Sequence, residues 1–187
     1  MSKFLERFMP SAATPLERAR ARVIVATCFA IGAAILALLL YWIVFSWLEE
    51  LLTIGIGLVL ILILVGIMAL AQRGKVRAAA WALVIFLVLL NLADMADYGI
   101  GTVSSAGFII PIVLATFTLG PRLGLGTAAL GSISVFAIAL AGAAGQLQTE
   151  IPFQESNLSF DAIILTLVYM LTGLLCAVWA GGDRLEG

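Results

Sequence analysis

Residues 49–77 read EELLTIGIGLVLILILVGIMALAQRGKVR. Two acids precede a long uncharged run, Leu51 to Gln72, and three cations follow it. A helix that crosses a bilayer needs roughly 20 apolar residues. Inserting membranes retain Lys and Arg on the cytoplasmic side. The stretch therefore predicts one crossing, with Glu49 and Glu50 outside and Arg73, Lys75 and Arg77 inside.

The rest of the chain extends this pattern in both directions. Apolar segments are predicted over about 23–47, 51–72, 78–97, 103–119, 121–144 and 160–180. With these drawn in, all ten basic residues fall on one side. Lys3, Arg7, Arg18, Arg20 and Arg22 precede the first segment, Arg122 lies between the fourth and fifth, and Arg184 follows the sixth. The opposite side takes Glu49, Glu50, Asp94, Asp97, Glu150, Glu155 and Asp161. The expected fold is all-α: a polytopic six-transmembrane-helix bundle with both termini in the cytoplasm.

Composition agrees. The chain is 63% hydrophobic and 11% charged, with a mean hydropathy of +1.18. A soluble domain of this size could not bury so much apolar surface. There is no His, which excludes His-ligated haem, the usual His-containing zinc sites and Ser-His-Asp triads. No catalytic residue, metal ligand or cofactor is expected, and no basic patch stands clear of the membrane to take nucleic acid. Cys28 and Cys176 sit inside apolar segments and read as packing residues rather than a disulfide.

Two local features precede the first span. Residues 1–13 form an amphipathic segment, with Phe4, Leu5, Phe8 and Met9 opposite Lys3, Glu6 and Arg7, suited to lie on the membrane surface. Residues 14–187 are the membrane domain. Thr14-Pro15-Leu16-Glu17 reads as a helix start, with Thr14 as cap, Pro15 at the first position and Glu17 closing a capping box. Ser159 is the expected cap of the sixth span. Arg18, Arg20 and Arg22 read as topogenic charge beside anionic headgroups, or else as a contact for a cytoplasmic partner.

The polar residues of the spans gather at the outer end of the third. Asn91, Asp94 and Tyr98 share one helical face, and Asp97 lies one turn beyond Asp94. These acids sit at a helix C-terminus, where they oppose the dipole by about 0.3–1 kcal/mol each. The fourth span opens with Ser104 and Ser105, followed by Gly107 and Pro111. Pro111 cannot donate and crowds the Gly107 carbonyl, so a kink with a free carbonyl is expected. These residues, Asn91, Asp94, Asp97, Tyr98, Ser104 and Ser105, are the candidate site for a small polar or cationic ligand. The alternative is that the acids are simply a solvated helix end.

Helix contacts in lipid rely on close backbone approach between small residues. Ala26, Ala30 and Ala34 make one stripe, Gly120, Gly124 and Ala128 a second, and Gly173 and Ala177 a third. They read as packing seams within the bundle, or as a face for a homodimer or another membrane protein.

The order of these elements, from "SKFLERFMP" and "TPLERARAR" through "LGPRLGLGTAAL" to "GGDRLE", resembles the N-terminal multi-pass membrane input domains of bacterial sensor histidine kinases and related PAS-containing signalling proteins. That resemblance implies the bacterial cytoplasmic membrane. It also implies a non-catalytic sensory or interaction module that passes a signal to cytoplasmic partner domains. The chain is similar, more weakly, to the substrate-binding S-components of energy-coupling-factor vitamin transporters, six-helix proteins that hold a vitamin in an outward pocket. A further alternative is an accessory subunit of a bacterial membrane complex.

Overall fold

The computed structural model describes residues 14–45, 51–100, 103–147 and 155–182. The amphipathic segment over 1–13 lies outside the described residues. Helix α1 spans Pro15–Phe45, α2 Leu51–Gln72 and α3 Val76–Tyr98. Then come two short helices, α4 (Val103–Ala106) and α5 (Ile109–Leu114), and a π-helical turn, Ala115–Leu119. The long helices α6 (Pro121–Ala143) and α7 (Glu155–Gly182) complete the described chain. No strand occurs among the described residues.

Five of these helices are long and apolar enough to cross a membrane, and Ile109–Leu119 is a shorter apolar stretch. Their outward faces carry large apolar side chains: Leu52 is 78% exposed, Leu62 70% and Leu140 69%. Leaving such a side chain in water forfeits about 1.5–3 kcal/mol of burial energy. The surface is built for lipid, and the protein is a multi-pass membrane protein.

Helix α1 begins on a capping box. The Glu17 amide donates to Thr14 Oγ1 at 3.3 Å, and the Thr14 amide donates back to Glu17 Oε2 at 3.0 Å. Helix α2 ends on Gly74, whose φ of 78° is in the left-handed region. There the Lys75 amide donates to the Leu70 carbonyl and the Gly74 amide to Ala71, which is the bond pair that satisfies the last carbonyls of a helix. Helix α7 begins at Glu155, so Ser159 lies inside the helix rather than at its cap.

The chain divides into two compact units, Met1–Leu83 and Val84–Gly187. In the first, α1 packs on α2. A Cβ at Gly57 would come within 2.6 Å of the Leu39 side chain, so the two helices touch closely there. In the second unit, α5, the π-helical turn, α6 and α7 pack on one another.

Candidate functional site

The fourth apolar segment is not a continuous helix. A turn at Gly107 and Phe108 separates α4 from α5. The cause lies three residues on. Pro111 has no amide to give the Gly107 carbonyl, and the Ile110 amide takes that carbonyl instead, at 3.1 Å. The expected free carbonyl is therefore satisfied within a tight turn. The Ser105 carbonyl accepts twice: from the Phe108 amide at 3.2 Å and from the Tyr169 hydroxyl of α7. Tyr169 is fully buried, about midway along the span Asp161–Ala180. A phenol there must find an acceptor, and the broken segment supplies one.

Rings and glycines fix this contact. Phe108 is fully buried and stacks on Tyr169, with centroids 5.4 Å apart and planes 28° from parallel. Both rings lie over Gly131 of α6, where a Cβ would approach Phe108 to 2.6 Å and Tyr169 to 3.1 Å. Gly124 faces Thr116, whose Oγ1 would overlap any Cβ placed there. Gly173 of α7 sits on Ala128, with a notional Cβ 2.9 Å from the alanine methyl. The glycines of α6 and α7 thus set how closely the broken segment and the two long helices approach.

Below the break the segment widens. The Gly120 amide donates to the Ala115 carbonyl, five residues back, at 3.0 Å. Two buried threonines bond to their own backbone, Thr116 Oγ1 to Ile112 at 2.9 Å and Thr118 Oγ1 to Leu114 at 2.6 Å. Such side chains offer carbonyls an extra donor and help the ladder depart from α geometry. Gly120, with φ at 121°, then turns the chain into α6, and Pro121 takes its first position.

Placement of the sequence-derived candidates is mixed. On α3, Asn91 is half-buried and its amide donates to the Leu87 carbonyl of its own helix at 2.8 Å. Asp94 is half-buried, while Asp97 and Tyr98 are exposed. Ser105 is buried and Pro111 is buried. The side chain of Ser104 lies outside the described residues. The partner of Ser105 that sequence reasoning missed is Tyr169. Its signal was a phenol in the middle of an apolar run. No group of His, Cys, Asp and Glu that could hold a metal ion occurs among the described residues.

Of the small-residue stripes, Gly124, Ala128 and Gly173 make the helix contacts just described. Gly120 forms the turn into α6, and Ala177 is half-buried. Ala26, Ala30 and Ala34 are exposed, and the buried face of α1 is instead Ala21, Ile24, Val25 and Cys28. Both cysteines are free.

The chain matches no protein-family model, and no curated protein or solved structure is detectably similar to it.

Proposed function

We propose that the chain is a non-catalytic membrane sensory or interaction module that relays a signal to cytoplasmic partner domains. In this reading the broken segment Val103–Leu119 makes the sixth crossing, both termini are cytoplasmic, and the host membrane is the bacterial inner membrane. The segregation of basic and acidic residues supports that orientation.

The observation that carries the reading is the shared acceptor at Ser105. In a continuous helix its carbonyl would take the Ile109 amide. Here it takes the Phe108 amide and the Tyr169 hydroxyl. The segment so has two arrangements open to it, one joined and one broken, and α7 votes for the broken one. A ligand moves such an equilibrium only if it binds the two arrangements with different affinity. Asp94 and Asp97 on α3, with Ser104 at the start of the broken segment, are the groups assigned to that ligand.

An immunoblot of source membranes tests the reading. It predicts the chain either within a longer polypeptide carrying cytoplasmic signalling domains, or crosslinked to a separate protein that carries them. A free 19.7-kDa chain that crosslinks to no such protein and keeps a small molecule through purification would favour transport instead.

A further inference from the structure

The fourth apolar segment departs from α geometry twice, in opposite senses. Where it starts, the turns are tight: the Phe108 amide donates to the Ser105 carbonyl and the Ile110 amide to Gly107, each three residues back. Phe108 has φ −63° and ψ −17°, close to a 3₁₀ turn. Where it ends, the turn is wide: the Gly120 amide reaches Ala115, five residues back. A 3₁₀ turn closes on one residue fewer than an α turn and a π turn on one more. Three residues wound at about 120° rather than 100° overwind the chain by about 60°, and the wide turn unwinds it by an angle of the same order. The chain before Ser105 and after Gly120 therefore stays close to the register of one continuous helix. Only α5, between the two turns, is rotated relative to both.

The sequence of α5 suits that place. It reads Ile-Ile-Pro-Ile-Val-Leu, apolar on every side, so a rotation exchanges one apolar face for another. Its neighbour α6 has no such freedom. A Cβ at Gly131 would meet Phe108 at 2.6 Å, and one at Gly173 of α7 would meet Ala128 at 2.9 Å, contacts close enough to fix the register of α6. Helix α7 touches both turns. The Tyr169 hydroxyl donates to the Ser105 carbonyl at the tight one. Trp179 packs edge-on against Phe117 of the wide one, with ring centroids 5.4 Å apart. Tyr169 and Trp179 lie about 15 Å apart along the helix axis.

We propose that the two turns are a single switch. They close to α geometry together, and α5 rotates by about 60° between α4 and α6. This rests on the two-arrangement reading of the segment given above and adds what the second arrangement moves. Closing the tight turn alone would twist α6 out of its glycine contacts, whereas closing both leaves α6 where it is. In the closed form the Ser105 carbonyl accepts the Ile109 amide and releases the Tyr169 hydroxyl. Phe117 turns away from Trp179 in the same step, so α7 is released at two levels at once. The Gly107 carbonyl meets Pro111 in the closed form and gains no amide, which keeps the broken form the favoured one.

Fluorine NMR of the full chain in lipid nanodiscs tests this, with fluorotyrosine and fluorotryptophan incorporated in separate preparations. Tyr169 reports the tight turn and Trp179 the wide one, each signal identified by its loss in Tyr169→Phe or Trp179→Phe. Saturation transfer measures the minor form at each reporter. Pro111→Ala returns to the Gly107 carbonyl the amide that a continuous helix gives it. The closed-to-broken ratio should rise about 3- to 15-fold, the worth of one hydrogen bond in a membrane, and by the same factor at Trp179 as at Tyr169. Thr118→Val keeps the shape of the side chain and removes its bond to the Leu114 carbonyl, and should raise the ratio at Tyr169 together with that at Trp179. A ratio that moves at Tyr169 alone in Pro111→Ala, or at Trp179 alone in Thr118→Val, would overturn the coupling and leave the two-arrangement reading standing. A single, unchanged signal at both reporters in Pro111→Ala would overturn that reading and the proposal with it.

Discussion

The Tyr169 hydroxyl of α7 donates to the backbone carbonyl of Ser105, 64 residues away in the chain, at the point where the fourth apolar segment breaks. The bond joins a mid-span phenol to a carbonyl that a continuous helix would have spent on its own amide. Both residues are buried. The contact therefore stabilises the break and the packing of α7 together.

Tyr169→Phe keeps the ring on Phe108 and Gly131 and removes only the donor. Hydrogen bonds between helices in a membrane are worth about 0.6–1.7 kcal/mol, and that is the loss expected. Tyr169→Ala removes the buried ring as well and should cost about 3–5 kcal/mol. Unfolding of the purified protein in bicelles, followed by tryptophan fluorescence, separates the two.

Glycine substitutions divide by what a methyl would meet. Gly131→Ala pushes against Phe108 and Tyr169, and Gly124→Ala against Thr116. Each should destabilise by about 1–3 kcal/mol. Gly55→Ala and Gly126→Ala meet nothing within 4 Å and should gain about 0.5–1 kcal/mol from reduced backbone freedom. Thr116→Ala should restore only part of the Gly124→Ala loss, because the Thr116 Cβ itself lies 2.8 Å from the added methyl. Melting temperatures of the single and double variants check this.

The capping box predicts a local effect. Thr14→Ala should cost about 1 kcal/mol at the start of α1. Hydrogen exchange should speed up over residues 16–18 and stay unchanged over Ile24 to Leu39.

The topology is testable with single cysteines in a background where Cys28 and Cys176 are replaced by Ala. Helix α3 has 23 residues, about 34 Å at 1.5 Å per residue, long enough to cross a membrane. Asp97→Cys should react with a membrane-impermeant maleimide added to intact cells, and Arg77→Cys and Arg122→Cys only after lysis. Labelling of all three from outside would contradict the orientation.

Much of the architecture was legible because it follows from local chemistry. Leu51–Gln72 can only be a membrane helix, Thr14 and Glu17 announce a cap, and Pro111 announces a disturbance four residues upstream. What Pro111 does not announce is its form. At the break, Gly107 and Phe108, the Ser105 carbonyl also meets Tyr169 from α7, a contact across 64 residues that leaves no periodic trace. The π-helical turn is equally silent, since Thr116 and Thr118 would bond to their own carbonyls in an α-helix too. Spacing by four found Gly124, Ala128 and Gly173 but passed over Gly131, which is out of step with them. The same spacing at Ala26, Ala30 and Ala34 marks an exposed face, because it reports how small a helix face is and not what lies against it.

The most direct test of the account is hydrogen exchange on the protein in lipid nanodiscs, comparing the parent chain with Tyr169→Phe. If the segment Val103–Leu119 is a two-arrangement element held by the Tyr169–Ser105 bond, the amides of Phe108 and Ile110 should exchange about 3- to 15-fold faster in the variant, corresponding to the loss of one intramembrane hydrogen bond. The amides of Gly124 to Ser132 in α6 should not change. Equal acceleration in both regions, or none in either, would contradict it.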